Sequence, residues 1–196
     1  AARASGTRVE VRDLFYATPA RLKFMKADRT EGDHVRDFLE RLAMAHPEVA
    51  FSLTEEGRPP RRWNSADLPG RLSAILGEAF GENSLPLDAA RENIRLTGRI
   101  SLPTLSDALP RHQYLFVNGR PVRDRLLQGA VRAGYMDVLP HDRHGLVALF
   151  VELPSEDVDV NVHPAKTEVR FRDPGLIRGL IVSALRHALQ IGRAHV

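Results

Sequence analysis

Residues 157–171 read Asp-Val-Asp-Val-Asn-Val-His-Pro-Ala-Lys-Thr-Glu-Val-Arg-Phe. Val alternating with Asp or Asn is the pattern of a half-buried strand. His163-Pro164 signals a turn, and Glu168 to Phe171 reads as a second short strand. Between the two strands stands Lys166. Of 28 basic residues only Lys23, Lys26 and Lys166 are lysines. A lysine at the tip of such an element offers a compact point charge where arginine offers a planar fork, and a point charge suits a terminal phosphate. The competing reading is an exposed surface lysine, the commoner use of the residue. His163 has no second histidine at ligand spacing, so with Pro164 it reads as a loop-packing residue. His141 and His144 flank Arg143 and would hold a metal only with acidic partners from elsewhere.

A second concentration of charge runs from Arg111 to Arg132, where Arg111, Arg120, Arg123, Arg125 and Arg132 face Asp124 alone. Asn118-Gly119 is a turn dipeptide leading from a strand to a helix expected at 122–135. Arg120 and Arg123 would then sit near the helix N-terminus, against the dipole preference. Arg125 and Arg132 are seven apart and share a helix face. Arginines in such positions suggest an anionic partner; a solvated face is the alternative. This helix is far from residues 157–171 in sequence and is expected apart from them in space.

The whole chain constrains less. Its 28 bases and 25 acids give a net charge of +3, too mild to imply nucleic-acid binding by itself. A hydrophobic content of 43% can fill a core. No apolar run approaches the ~20 residues of a membrane span. Cysteine is absent, which excludes disulfides and thiolate metal sites and fits a reducing compartment.

The elements that must position these residues follow from periodicity. Thr7 to Arg12 alternates as a strand, and residues 16–21 read as a loop. Thr30 and Asp33 have capping-box spacing ahead of an apolar stripe of Val35, Phe38, Leu39, Leu42 and Ala43, ended by Pro47. Val49 to Leu53 and a partner reaching Trp63 read as a hairpin. A helix from about Gly70 to Phe80 opens a second part. Strands follow at Ile94 to Leu102, Tyr114 to Asn118 and Leu146 to Leu153. The helix at 122–135 buries Leu126, Leu127, Ala130 and Val131. A last helix from about Pro174 buries Leu176, Ile177, Leu180, Ile181 and Leu185. Sheet with helices on one side is the default architecture for this α+β pattern.

Three segments carry a resemblance to a known family. Residues 157–171 resemble D-V-N-V-H-P-x-K-x-E-V-R-F of the MutL mismatch-repair ATPases. Gly6 to Phe24 resembles G-T-x-V-x-V-x-D-L-F-Y-N-T-P-A-R-x-K-F, with Ala17 where most members have Asn. Phe116 to Asp124 resembles F-V-N-G-R-x-v-x-D. Order and spacing agree from about Gly6 to about Leu189. The resemblance implies a partial GHKL-type ATPase α/β sandwich over 1–66 and a gyrase-B-like transducer domain with a left-handed crossover over 69–190. Residues 191–196, Ile-Gly-Arg-Ala-His-Val, read as a translated sequencing adapter or frayed tail outside the fold.

The roles implied by the family are these. Gly6 and Thr7 line a nucleotide pocket. Lys166 reaches the terminal phosphate of ATP and stabilises charge in the transition state. Arg120, Arg123, Arg125 and Arg132 hold DNA by its phosphates without reading sequence, with Arg132 foremost. The general base, the magnesium-binding Asn and the Gly-rich lid of the family are expected ahead of Ala1, so ATP and Mg2+ belong to the intact protein and the fragment alone is expected inactive. The intact protein would be a homodimer in the bacterial cytoplasm, associated with the nucleoid, relaying mismatch detection from MutS to downstream repair factors. A type II topoisomerase-like transducer and a stand-alone RNA- or ribosome-binding module are the alternatives. The topoisomerase reading meets a difficulty at Pro164-Ala165-Lys166, because gyrase B carries its lysine in a Gln-Thr-Lys loop.

Overall fold

A computed structural model describes residues 6–162 and 167–193. The chain divides into two compact units, residues 1–37 and 38–196. In the first, residues 6–12 are irregular and exposed, and a 3-10 helix runs over Pro19–Phe24. The strand expected at Thr7 to Arg12 does not form. A strand needs a ladder partner for its N–H and C=O groups, and among the described residues 6–37 no second extended segment supplies one. Val9 and Val11 are accordingly 81% and 72% exposed.

Helix α1, Asp28–Ala45, spans the border between the units. It starts two residues before Thr30, so the expected Thr30–Asp33 capping box does not form; instead the Glu31 carboxylate accepts from the Lys26 backbone N–H at 2.8 Å. The expected apolar stripe is buried only toward its C-terminal end, with Leu39 and Leu42 half-buried and Ala43 buried. Val35 and Phe38 are exposed, while Arg41, Ala43 and Met44 are buried.

The second unit continues with β1 (Phe51–Leu53), β2 (Arg61–Trp63), α2 (Leu68–Leu76), α3 (Glu78–Glu82), β3 (Ser84–Arg91), β4 (Ile94–Ser101), β5 (Ser106–Asp107), β6 (Gln113–Val117), β7 (Arg120–Val122), α4 (Arg125–Tyr135), β8 (His144–Gly145), β9 (Val147–Glu152), β10 (Val158–Asp159), β11 (Arg170–Phe171) and α5 (Pro174–Arg193). A five-stranded sheet runs β3-β4-β9-β6-β7, antiparallel except for the central β6/β9 pair. That parallel pair needs a crossover, which here passes through β7 and α4.

Alternate residues of the central strands feed two cores. Leu115, Val117, Val147, Leu149 and Val151 belong to a core with α4 and α5. Tyr114, Phe116, Leu146 and Ala148 pack with Met44, Leu72 and Phe80 from α1, α2 and α3. The helices therefore cover both faces, not one, and β6 is buried at all five positions, as a strand covered on both sides must be. The fold class is α+β as expected. The helix expected over 70–80 is two helices, broken at Gly77 with φ +96. Strand β3 was not legible because Pro86 interrupts its pattern; it lies at the sheet edge, where proline is tolerated. On α5, Ile177, Leu180, Ile181 and Leu185 are buried as expected. The helix continues through Ile191 and Gly192 to Arg193, so the first half of the hexapeptide set aside as a tail is helical, and 194–196 lie outside the described residues. Gly134 lets α4 close on α5: a Cβ there would stand 2.8 Å from the Leu185 side chain.

Arg71 ties α2 to the chain before it. It is 1% exposed. Its guanidinium donates to the carbonyls of Ala43 (2.9 Å), Pro47 (2.9 Å), Val49 (2.8 Å) and Asn64 (2.8 Å). Burial lowers its pKa from the usual arginine range, and the charge of Glu48 opposes that shift. One cation thus satisfies the end of α1 and both flanks of the β1/β2 hairpin. Arg71→Ala leaves several carbonyls unpaired and should cost about 3–5 kcal/mol in urea unfolding, with Arg71→Lys intermediate because an ammonium cannot span four acceptors.

Candidate functional site

Strand β6 ends at Val117, and Asn118 (φ +48) and Gly119 (φ +75) reverse the chain into β7 with Val117 opposite Arg120. Two central residues with positive φ make the tight hairpin turn that Asn-Gly favours. Asn118 does more than turn. Its N–H donates to the Val151 carbonyl at 2.9 Å, its Nδ2 to the Leu153 carbonyl at 3.0 Å, and its Oδ1 accepts from the Leu153 N–H at 3.0 Å. The amide imitates a peptide group and carries the β6/β9 pairing beyond its last rung. It thereby fixes where β9 releases the chain toward residues 157–171.

The helix expected from Val122 begins at Arg125. Asp124 caps it, accepting from the N–H groups of Leu126 (2.9 Å) and Leu127 (3.1 Å). Arg120 therefore lies in β7 and Arg123 in the short link before the cap. Arg123 stands next to the N-cap, near the helix N-terminus as expected, while Arg120 lies in the strand before it; the Asp124 carboxylate satisfies the dipole. Leu127, Ala130 and Val131 are buried and Leu126 half-buried, against the α5 side of the core. Arg120, Arg123, Arg125 and Arg132 are all exposed. Arg132 donates from Nη2 to the His141 carbonyl at 2.9 Å.

The two strands expected in residues 157–171 form, in shorter pieces, while the expected turn at His163-Pro164 lies outside the described residues. Val158 pairs with Phe171 and Asp159 with Arg170. Arg172 closes the base, its N–H donating to the Asp157 carbonyl at 2.8 Å and its guanidinium to Oδ1 at 3.3 Å. Val169 and Phe171 anchor the frame in the core. Lys166, with His163, Pro164 and Ala165, lies outside the described residues. Its neighbour Thr167 does not, and its carbonyl accepts from the Arg123 N–H at 2.6 Å. The arginine-bearing segment and the signature loop, expected apart, meet directly. The reason is topological: the crossover from β6 must pass the end of β9, where the signature segment begins. No local sequence signal announces a bond between residues 123 and 167.

Gly6 and Thr7 belong to the first unit and are exposed. Among the described residues no group of three His, Asp or Glu could hold a metal, and no helix is long and apolar enough to cross a membrane. His141 offers its carbonyl to Arg132, and Arg143 between the two histidines donates to the hydroxyl and carbonyl of Ser106. At the far end of α4, Tyr135 donates to the Ser101 carbonyl at 2.7 Å; burial pushes its phenol well above the ordinary range, with the Ser101 hydrogen bonds opposing.

The mixed sheet covered by helices on both faces is a fold with solved counterparts. The N terminal domain of a DNA repair protein matches with a TM-score of 0.73 at 21% identity, over 92% of this chain and 60% of that one. The Aquifex aeolicus MutL ATPase domain complexed with ADP matches with a TM-score of 0.58 at 26% identity, over 87% and 55%. The family described as DNA mismatch repair protein, C-terminal domain, matches residues 72–190. The chain belongs to the MutL family of DNA mismatch repair proteins. It is 62% identical to the MutL of Rhodospirillum rubrum over 190 residues, which is 94% of this chain but only 30% of that protein's length.

The Asn118 clamp is open to direct test. Asn118→Asp keeps shape and turn propensity but sets a carboxylate against the Leu153 carbonyl. Asn118→Asp and Asn118→Ala should each lose about 2–4 kcal/mol in chemical denaturation, the first from the lost donor and the carboxylate–carbonyl repulsion, the second from both bonds and the positive φ. An Asp variant as stable as wild type would show the amide donor to be dispensable.

Proposed function

We propose that this chain is the part of a mismatch-repair ATPase in which the end of the GHKL-type ATPase domain, residues 1–66, continues into the transducer domain, residues 69–190. Family membership supports this over the topoisomerase-like and RNA-binding alternatives. In the intact protein, ATP with Mg2+ binds a pocket to which Gly6 and Thr7 contribute, and Lys166 contacts the terminal phosphate. Magnesium, when bound, would neutralise the phosphate charge. Nucleotide binding drives dimerisation of the N-terminal region, and Arg120, Arg123, Arg125 and Arg132 grip DNA by its phosphates. The homodimer relays mismatch detection from MutS to downstream factors in the bacterial cytoplasm, at the nucleoid.

One observation carries the coupling of these roles: the 2.6 Å hydrogen bond from Arg123 to Thr167. A loop that shifts when Lys166 engages a phosphate pulls on the link that leads into the arginine-bearing helix. A two-state loop read out through a hydrogen bond is a physical route from nucleotide state to DNA grip.

Lys166→Ala in the full-length protein should lower ATP turnover by about 10²–10³, the cost of one transition-state charge donor, with an unchanged melting curve. Lys166→Arg should rescue poorly. Turnover within twofold of wild type would remove Lys166 from the reaction. Arg132→Glu should weaken DNA binding alike for all sequences and flatten log affinity against log salt by about 0.9 for each duplex phosphate no longer neutralised. ATP turnover without DNA should stay near wild type, since Arg132 stands two turns along α4 from the Arg123 link. An unchanged slope and affinity would make the arginine row a solvated face.

A further inference from the structure

Beside the outer face of α4 lies a cavity of about 180 Å³ that the roles above do not use. Its floor and walls are largely apolar, from Tyr135, Met136, Leu139 and Pro140. Its far wall is the 139–145 segment, which Arg132 holds to the helix through the His141 carbonyl. Two guanidiniums stand at its lining, Arg132 and Arg143. Each carries five donors. Arg132 uses one on His141, and Arg143 is tethered to Ser106 through its hydroxyl at 3.0 Å and its carbonyl. Both cations are thus positioned by the protein with donors to spare. Gln113, also in the lining and 7% exposed, makes only a long 3.4 Å contact to the Gly145 carbonyl.

Size, lining and charge together select a ligand. An enclosed cavity of about 150 Å³ lined by apolar groups admits benzene, so this half-open one has room for a single six-membered ring within its walls. An amide able to donate and accept suits the polar edge of a nucleobase. Two fixed arginines suit phosphates on either side of it. A base can enter only if it is unstacked and unpaired. We infer that this cavity receives one unstacked pyrimidine base of single-stranded DNA, with Arg132 and Arg143 holding the adjacent phosphates. The inference rests on the reading of Arg132 as a phosphate contact and adds a base site to it.

Gly129 supplies the test. It lines the cavity, and a Cβ there meets nothing within 4 Å. Gly129→Leu fills the space and improves helix propensity, so the fold is not at risk; thermal unfolding checks this. Fluorescence anisotropy with the full chain compares labelled oligothymidylate, oligodeoxyadenylate and an equally long abasic strand. Oligothymidylate should bind at least fivefold tighter than the abasic strand and tighter than oligodeoxyadenylate. Gly129→Leu should abolish that preference while keeping abasic affinity within twofold. Equal wild-type affinity for thymidylate and abasic strands, or a preference that survives Gly129→Leu, overturns the base site. Displacement by equimolar thymidine monophosphate would make it a site for free nucleotide and overturn the assignment to a strand. In Arg132→Glu both strands should weaken together tenfold or more. Unchanged abasic affinity there overturns the phosphate contact, while Gly129→Leu still judges the base site.

Discussion

The amide of Asn118 is the constraint on which the functional half of this chain depends. Two strands that run parallel at the centre of the sheet must part at their ends, one into a hairpin and one into the acidic signature. Asn118 holds them together one residue past the last rung by pairing with both backbone groups of Leu153. The hairpin then delivers Arg120 and the Asp124 cap of α4, while Leu153 delivers residues 157–171. Both functional segments therefore leave the sheet from one corner, and the contact between Arg123 and Thr167 follows from that common origin.

The rest of the molecule makes that corner rigid. Central strands buried on both faces cannot shift register without moving every side chain to the wrong core. On one face α4 and α5 close tightly at Gly134. On the other, α2 and α3 cover the strands and Arg71 gathers four carbonyls from the preceding chain. A buried cation satisfied by carbonyls is costly to place and costly to lose, so the segments it ties are held in one arrangement. The signature loop, by contrast, is framed by two-residue strands.

The exposed arginine row of α4 and the cavity meet at Arg132. Arg132 belongs to the exposed arginine row and also fastens the 139–145 segment. The stacked pair Phe116 and Phe150, with ring centroids 4.5 Å apart, lies on the opposite side of the sheet and takes no part.

Family, fold class, the central strands, α4 and α5 were legible in the sequence, because long motifs and strong apolar periodicity leave few alternatives. The Asn-Gly dipeptide announced its turn, since positive φ at both positions is a local property. Three things were decided only by tertiary structure. Asn118 clamps Leu153 and Arg123 meets Thr167 because a parallel pair and its crossover bring remote residues to one corner, which no window along the chain can display. The strand at Thr7 to Arg12 and the stripe of Val35 and Phe38 satisfy their periodicity, yet remain exposed. Periodicity states what a segment could bury; whether a ladder or an apolar surface is there to receive it depends on the rest of the fold. The helices on both faces are of the same kind. Val, Leu and Phe on successive positions of β6 and β9 mark a strand buried twice, but only packing shows which helices do the burying.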